Sequence, residues 1–166
     1  MGEDKGLMSL FGKPMIEYIL EKVKKISEDI IIVSANPNYE KFGYPLIVDQ
    51  FKNKGPLAGI HAGLSKSEHA YNLVLSCDVP YVKEGLLKFI IYQSIGFDVT
   101  IPEHDSRLHP LIGVYHKKCI PHFEKAIIEG RLKVVKAINE LNVNIVVTSE
   151  FDAVEFKNIN SKKDIN

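Results

Sequence analysis

Apolar residues recur along the chain in two patterns that alternate. The first has helical spacing, as in the run from Ile16 to Ile26, and it predicts helices over 14–27, 55–67, 83–95, 119–129 and 132–141. The second is a short block of consecutive apolar residues, which is typical of a strand covered on both faces. It predicts strands over 30–33, 46–48, 71–76, 98–101, 111–115 and 143–148.

This alternation predicts a doubly wound α/β fold, with a mostly parallel sheet between helices on both faces in three αβα layers. In such folds, ligands bind beyond the carboxyl ends of the strands. Three polar segments, Ser34–Asn36, Asp49 and Cys77–Pro80, each follow a predicted strand. We therefore expect them at one edge of the sheet.

Composition narrows the class of protein. The 166 residues, 45% hydrophobic and 25% charged, indicate one globular domain over 1–166. With 21 basic and 21 acidic residues the net charge is zero, so we expect neither a nucleic-acid nor a membrane partner. The start shows no signal-peptide pattern, and two cysteines suit a reducing compartment, so we expect a cytoplasmic protein.

Asp78 is the most informative single residue. A carboxylate directly after a buried strand projects from the carboxyl edge of the sheet, and Pro80 restricts the turn that follows. Oxygen ligands of this kind suit Mg²⁺, and Mg²⁺ suits phosphate substrates. The alternative is that Asp78 caps the helix beginning near Lys83 or stabilises a turn.

Other segments allow a chemical and a structural interpretation. Lys5, on a polar turn, could neutralise phosphate charge or be merely solvated. Gly59, among small residues at four-residue spacing, allows close approach of either a nucleobase or the sheet. Asp49 could accept hydrogen bonds from a base edge or be a loop carboxylate. Cys77 invites a role as nucleophile, but a small residue at a buried strand end explains it equally well.

Taken in order, the segments resemble one family over nearly the whole chain. They are MGEDK, FGKPMIEYILEKV, IIIVSAN, IVDQ with GPLAGIHAGL, LVLSCDVPYV, LHPLIGVYHKKCIPHFEKAI and FKNINSKKDI. This order is similar to that of the molybdenum cofactor guanylyltransferases of MobA type, nucleotidyltransferases with a Rossmann-like sheet.

The resemblance implies an enzyme that transfers GMP from GTP to the terminal phosphate of molybdopterin and releases pyrophosphate. It implies Mg²⁺ as cofactor, and molybdoenzyme apoproteins or cofactor chaperones as further partners. A related cytidylyl- or sugar-nucleotidyltransferase, or an inactive cofactor-binding relative, is the alternative.

The resemblance also implies roles for individual residues. Asp78 would hold Mg²⁺, and Lys5 would meet the phosphates. The other implied contacts are of two kinds: Asn36, Asp49 and Gly59 with the nucleotide, and His109, Asn158 and Asn160 on the side of the pterin substrate. His109 could equally be a packing residue.

One departure from the family concerns the start of the sequence. In the family, a first strand and a loop of the type Leu-Ala-Gly-Gly-x-Ser-x-Arg precede the Met-Gly-x-Asp-Lys motif, whereas this sequence begins at that Met. We therefore expect an incomplete phosphate cradle and a missing central strand, with unpaired edges on its neighbours. Either the recorded start is too late or the chain is a shortened relative.

Overall fold

The computed structural model describes residues 4–161 and 164. Its strands and helices, in chain order, are β1 (Ser9–Leu10), β2 (Lys13–Pro14), α1 (Met15–Val23), β3 (Ile32–Val33), β4 (Leu46–Ile47), α2 (Pro56–Lys66), β5 (Tyr71–Leu75), α3 (Glu84–Tyr92), β6 (Val99–His104), β7 (Arg107–Leu108), β8 (Ile112–His116), α4 (Ile120–Ile128), α5 (Val134–Ile138) and β9 (Val143–Val147). None of these helices is long and apolar enough to cross a membrane.

The main sheet has five strands. The order β5-β8-β6-β7 forms one path, and β9 pairs with β6 in parallel, with Ile101 opposite Ile145. The strand β8 is antiparallel to both β5 and β6, so β5, β6 and β9 all run in one direction. The predicted α/β fold with a mostly parallel sheet is confirmed, and β7 and β8 are the antiparallel strands.

The direction of β8 follows from a hairpin that the sequence pattern did not reveal. Asp105 and Ser106 both have positive φ, 49° and 60°, and they connect β6 to β7 in a two-residue turn. Two consecutive residues of this conformation are typical of a type I′ hairpin, which usually contains glycine. The turn reverses the chain, and β8 therefore returns antiparallel to β6.

Helices cover both faces of this sheet. On one face, α2, α4 and α5 enclose a core that includes Leu64, Phe123 and Ile138, all buried. On the other face, Leu87 and Ile90 of α3 pack on the sheet together with α1. The three-layer arrangement is therefore the one predicted, although α1 and α5 are shorter than the segments 14–27 and 132–141.

A second, two-stranded sheet pairs β3 with β4 in parallel. The predicted strand 30–33 shortens to two residues, because β4 begins only after Pro45, which has no N–H to donate. Within residues 4–161 and 164, β3 pairs with no other strand, and β5 pairs only with β8. The helix α1 packs against both sheets, through Ile16 on one and Ile19 on the other.

Candidate active site

The carboxyl ends of the parallel strands place several polar side chains at one edge of the main sheet. Asp78 follows β5, His104 ends β6 and Thr148 follows β9. The C-terminal strap, which we define as residues 153–161, crosses this edge. Its Ile159 N–H donates to the main-chain oxygen of Asp78 at 2.7 Å, and its Phe156 ring stacks on His104 at 4.4 Å.

Asp78 is buried and has one oxygen free. Its Oδ2 accepts a long hydrogen bond from the Asn158 amide, at 3.4 Å. Its Oδ1 is buried and has no hydrogen-bond partner among the residues that the structure describes. The capping alternative does not hold, because the helix α3 begins after Lys83, whose N–H donates to Glu155 Oε2 at 3.0 Å instead. An unpaired buried carboxylate oxygen is a group that a cation or a donor would satisfy.

Lys5 lies close to this carboxylate. It begins a 3₁₀ turn, Lys5–Leu7, and its ammonium nitrogen is 3.9 Å from Asp78 Oδ2. The same nitrogen donates to Asn160 Oδ1 at 2.6 Å. The structure thus brings four of the residues named from the sequence, the two asparagines of the strap included, into one cluster.

Of the residues named for the nucleotide, only Asn36 is linked to the turn that carries Lys5, through Asp4, whereas Asp49 and Gly59 lie beside the second sheet. Asn36 has protein partners for both side-chain groups: its amide donates to Asp4 Oδ2 at 2.9 Å, and its oxygen accepts from Asn38 at 3.0 Å. Asp49 follows β4, and its Oδ1 is buried without a partner in the described chain. A Cβ on Gly59 would lie 4.0 Å from Val33, so this glycine faces the sheet, which is the packing alternative.

His109 lies against the strap and not beside Asp78. Its ring is 4.8 Å from the ring of Phe156, whose other neighbour is the buried His104. Burial, with Arg107 and His104 nearby, lowers the pKa of His109 to about 4. The imidazole is therefore neutral at pH 7, so one ring nitrogen donates and the other accepts.

His109→Gln is expected to reduce the acid sensitivity of the fold. Because the folded-state pKa of His109 is about 4 and the unfolded value about 6.5, the unfolded state binds more protons between these values. Stability is therefore lost as the pH falls from 6.5 to 4, and Gln, which does not titrate, removes this contribution. Urea unfolding at several pH values measures the change. His69→Gln, at an exposed ring, is the control; an unchanged pH slope in His109→Gln would contradict the assignment.

The surroundings of Cys77 do not activate its thiol as a nucleophile. Burial raises the pKa of its thiol to about 11, and the neighbouring carboxylates of Asp78 and Asp4 add to this effect. At neutral pH the sulfur is protonated, whereas attack requires the thiolate. The surroundings of Cys77 therefore do not favour a covalent cysteine intermediate.

Sequence reasoning missed three residues that organise the site. Asp4 joins Asn36 to the turn of Lys5, Tyr39 donates to Asp4, and Phe156 joins His109 to the strap. Only Asp4 carries a sequence signal, because it directly precedes Lys5. The other two act through contacts between distant parts of the chain.

A lysine beside a carboxylate with an unpartnered oxygen, without an activated nucleophile, is the arrangement expected of one class of α/β enzyme. Members of this class transfer phosphate-linked groups by positioning and by charge neutralisation. Among the residues described, no group of three or more His, Cys, Asp or Glu side chains is arranged so that it could hold a metal ion. A site with one carboxylate suits a divalent cation that is shared with substrate phosphates.

Comparison with known proteins places the chain within this class. A sequence model of the family described as "MobA-like NTP transferase domain" matches residues 1–143. The "Probable molybdenum cofactor guanylyltransferase" of Flavobacterium johnsoniae is 35% identical, over 100% of this chain and 88% of the relative. The "Molybdenum cofactor guanylyltransferase" of Desulfosudis oleivorans is 32% identical, over 99% of this chain and 85% of the relative. The chain therefore belongs to the MobA-like NTP transferase family and is a nucleotidyltransferase.

Solved structures agree with this assignment. "Molybdopterin-guanine dinucleotide biosynthesis protein A" from Archaeoglobus fulgidus superposes with a TM-score of 0.82 at 30% identity, over 99% of this chain and 88% of that one. A 2-C-methyl-D-erythritol 4-phosphate cytidylyltransferase from Thermus thermophilus gives a TM-score of 0.72 at 14% identity, over 97% and 90% of the two chains. At that identity, the second likeness concerns the fold alone.

Proposed function

We propose that this protein transfers GMP from GTP to the terminal phosphate of molybdopterin and releases pyrophosphate. Relatives named for this guanylyl transfer cover the whole chain at 32–35% identity. The observation that carries the proposal is the pair formed by Lys5 and Asp78, 3.9 Å apart at the carboxyl edge of the sheet. A cation and a carboxylate so placed suit a triphosphate that reacts without a protein nucleophile.

In this reaction, an oxygen of the acceptor phosphate attacks the α-phosphorus of GTP, and the bond from that phosphorus to the bridging oxygen breaks. Asp78 would hold Mg²⁺ through its unpaired Oδ1, and Asn158 keeps the other oxygen oriented. When bound, Mg²⁺ neutralises charge on the triphosphate and on the departing pyrophosphate. Lys5, held by Asn160, would bind a phosphate oxygen and share that neutralisation.

Asp49 is our candidate for recognition of the base. Its buried, unpaired Oδ1 needs a donor, and the Watson–Crick edge of guanine presents two adjacent N–H groups that a carboxylate accepts together. Cytosine presents only its 4-amino group as a donor on that edge. Asn36 would line the same side of the site, and Gly59 would act there only through the close packing of α2 on Val33. His109 would face the pterin substrate.

We propose in addition that one further strand, supplied from outside residues 1–166, lies between β3 and β5 and completes a single nucleotidyltransferase domain. Each of these strands has a neighbour on one side only within the described residues, and α1 packs on both sheets. The residues Asn72–Leu75 of β5 are only half-buried, whereas Ile112–Tyr115 of β8 are buried. An added strand would satisfy the free edges.

Release of pyrophosphate tests the function. We expect the chain, preceded by the first strand and glycine-rich loop of a relative, to release pyrophosphate from GTP in the presence of Mg²⁺ and molybdopterin. The chain as printed is the comparison, and we expect it to be much slower without the backbone N–H groups that the added loop would supply to the phosphates. GTP at a hundredfold excess over its Kd should stabilise the extended protein by about 2.7 kcal/mol.

Two outcomes would contradict the proposal. A folded, extended protein that releases no pyrophosphate would exclude guanylyl transfer to molybdopterin. Greater thermal stabilisation by CTP than by GTP would favour a cytidylyltransferase on the same fold.

We place the reaction in the cytoplasm, where free thiols such as Cys77 and Cys119 persist. From there the product would pass to molybdoenzyme apoproteins or to cofactor chaperones. Co-purification of the extended protein with such a recipient is the corresponding measurement.

A further inference from the structure

The carboxylate of Asp4 joins two segments of the chain beside Lys5, the turn that contains Gly6 and the segment from Asn36 to Tyr39. Its Oδ1 accepts hydrogen bonds from the Tyr39 hydroxyl at 2.5 Å and from the Gly6 N–H at 3.1 Å. Its Oδ2 accepts a hydrogen bond from the Asn36 amide at 2.9 Å. Because Gly6 directly follows Lys5, these hydrogen bonds orient the turn that carries the lysine.

Gly6 also lies against two side chains from distant parts of the sequence. A Cβ at this position would be 2.2 Å from the Tyr39 hydroxyl oxygen and 3.1 Å from the Cys77 sulfur. The first distance is far inside van der Waals contact, so the position requires glycine. Since Cys77 directly precedes Asp78, this close approach connects the segment that carries Lys5 to the segment that carries the carboxylate.

Tyr39 is itself held firmly. Its side chain is buried, and it packs in one cluster with Ile16, Leu20 and Ile32. Burial and the adjacent Asp4 carboxylate raise the pKa of its hydroxyl, which therefore remains a donor at neutral pH. A hydroxyl that donates to a carboxylate forms one of the stronger hydrogen bonds in proteins.

We propose that Tyr39 is a positioning residue that fixes the Lys5 ammonium group relative to the Asp78 carboxylate. Together with Cys77 it forms a seat for Gly6, and the seat determines how closely the two segments approach. The proposal rests on the proposed function, in which both charged groups act on the triphosphate. Tyr39 contacts neither group and acts through the turn.

The variant Tyr39→Phe tests this role with two readouts. We expect the kcat for pyrophosphate release to fall about tenfold, with a smaller change in the KM for GTP, because misplacement of a phosphate-binding group affects the transition state most. We also expect acetic anhydride to acylate Lys5 about threefold faster, because a loosened turn weakens the contact of Lys5 with Asn160. Mass spectrometry of the chain as printed measures acylation without any substrate.

Tyr71→Phe is the matched control. Its hydroxyl accepts a hydrogen bond from Gly96 N–H at 3.0 Å, at the amino end of β5, on the opposite edge of the sheet. Like Tyr39→Phe, this substitution removes only a tyrosine hydroxyl group. We expect neither kcat nor the rate of acylation of Lys5 to change.

A second pair of variants tests the seat. Gly6→Ala should lower kcat by about 100-fold, because the added Cβ displaces the turn. Adding Tyr39→Phe removes the oxygen at 2.2 Å and leaves the ring carbon Cζ at 3.1 Å. The kcat of the double variant should therefore be about tenfold higher than that of Gly6→Ala. A double-mutant cycle measures this difference.

The outcomes separate the two proposals. Unchanged acylation of Lys5 in Tyr39→Phe, an equal change in Tyr71→Phe, or a double variant less active than Gly6→Ala would overturn the positioning role. Faster acylation of Lys5 in Tyr39→Phe alone, in a protein that never releases pyrophosphate, would support the positioning role and reject the proposed function.

Discussion

Asp78→Asn is expected to slow pyrophosphate release by roughly 10²- to 10³-fold, while the free energy of unfolding changes by less than about 1 kcal/mol. The substitution keeps the shape of the side chain and removes the charge that would hold Mg²⁺. Stability should be little affected, because Asp78 Oδ1 has no protein partner to lose and the contact of Oδ2 with Asn158 is long, at 3.4 Å. The ion pair with Lys5 is also long, at 3.9 Å, and the lysine side chain is partly exposed, so its loss costs little. Initial rates with GTP and molybdopterin, together with urea unfolding, measure the two effects.

Asp98→Asn is the control for this substitution. Asp98 lies just before β6, at the amino edge of the sheet, and its Oδ2 accepts from the Asn142 N–H at 3.1 Å. We expect this variant to lose stability, because its ion pair with Lys118 is also broken, and to keep its rate. Full activity in Asp78→Asn would reject the metal role. A loss of stability without a loss of rate would restore a structural role for Asp78.

The layers of the fold could be predicted because they depend on local pattern. Helical spacing of apolar residues located α1 to α5. Blocks of apolar residues located the strands that precede Asp49 and Asp78. The direction of the parallel strands then placed each carboxylate after the carboxyl end of its strand. The predicted single edge was wrong for the described residues, because Asp49 follows the second sheet and Asp78 the main one. The antiparallel direction of β8 escaped this reasoning, because the hairpin at Asp105 and Ser106 has two consecutive positive φ angles without a glycine to announce them.

The site was less predictable, for a different physical reason. Lys5 alone would be assigned to solvent. Its role is indicated by the contacts of its ammonium group with Asn160, 155 positions away, and with Asp78. Contacts of this range depend on the whole fold, and no local pattern encodes them. The resemblance to the family implied a site that contains these residues, but the roles of Tyr39 and Asp4 depend on hydrogen bonds that only the folded chain forms.

Phe123→Ala is expected to cost about 3–5 kcal/mol in the free energy of unfolding. Phe123 lies on α4, is fully buried, and its ring centroid is 6.0 Å from that of the buried Tyr115. Truncation leaves a cavity between α4 and the sheet. For a chain of this size, the midpoint temperature of thermal unfolding should fall by roughly 6–20 °C. Ile128→Ala on the same helix is the control, because Ile128 is 72% exposed and its loss should stay within about 0.5 kcal/mol. Equal losses in the two variants would mean that α4 does not present Phe123 to the sheet, and the packing described for this face would then be wrong.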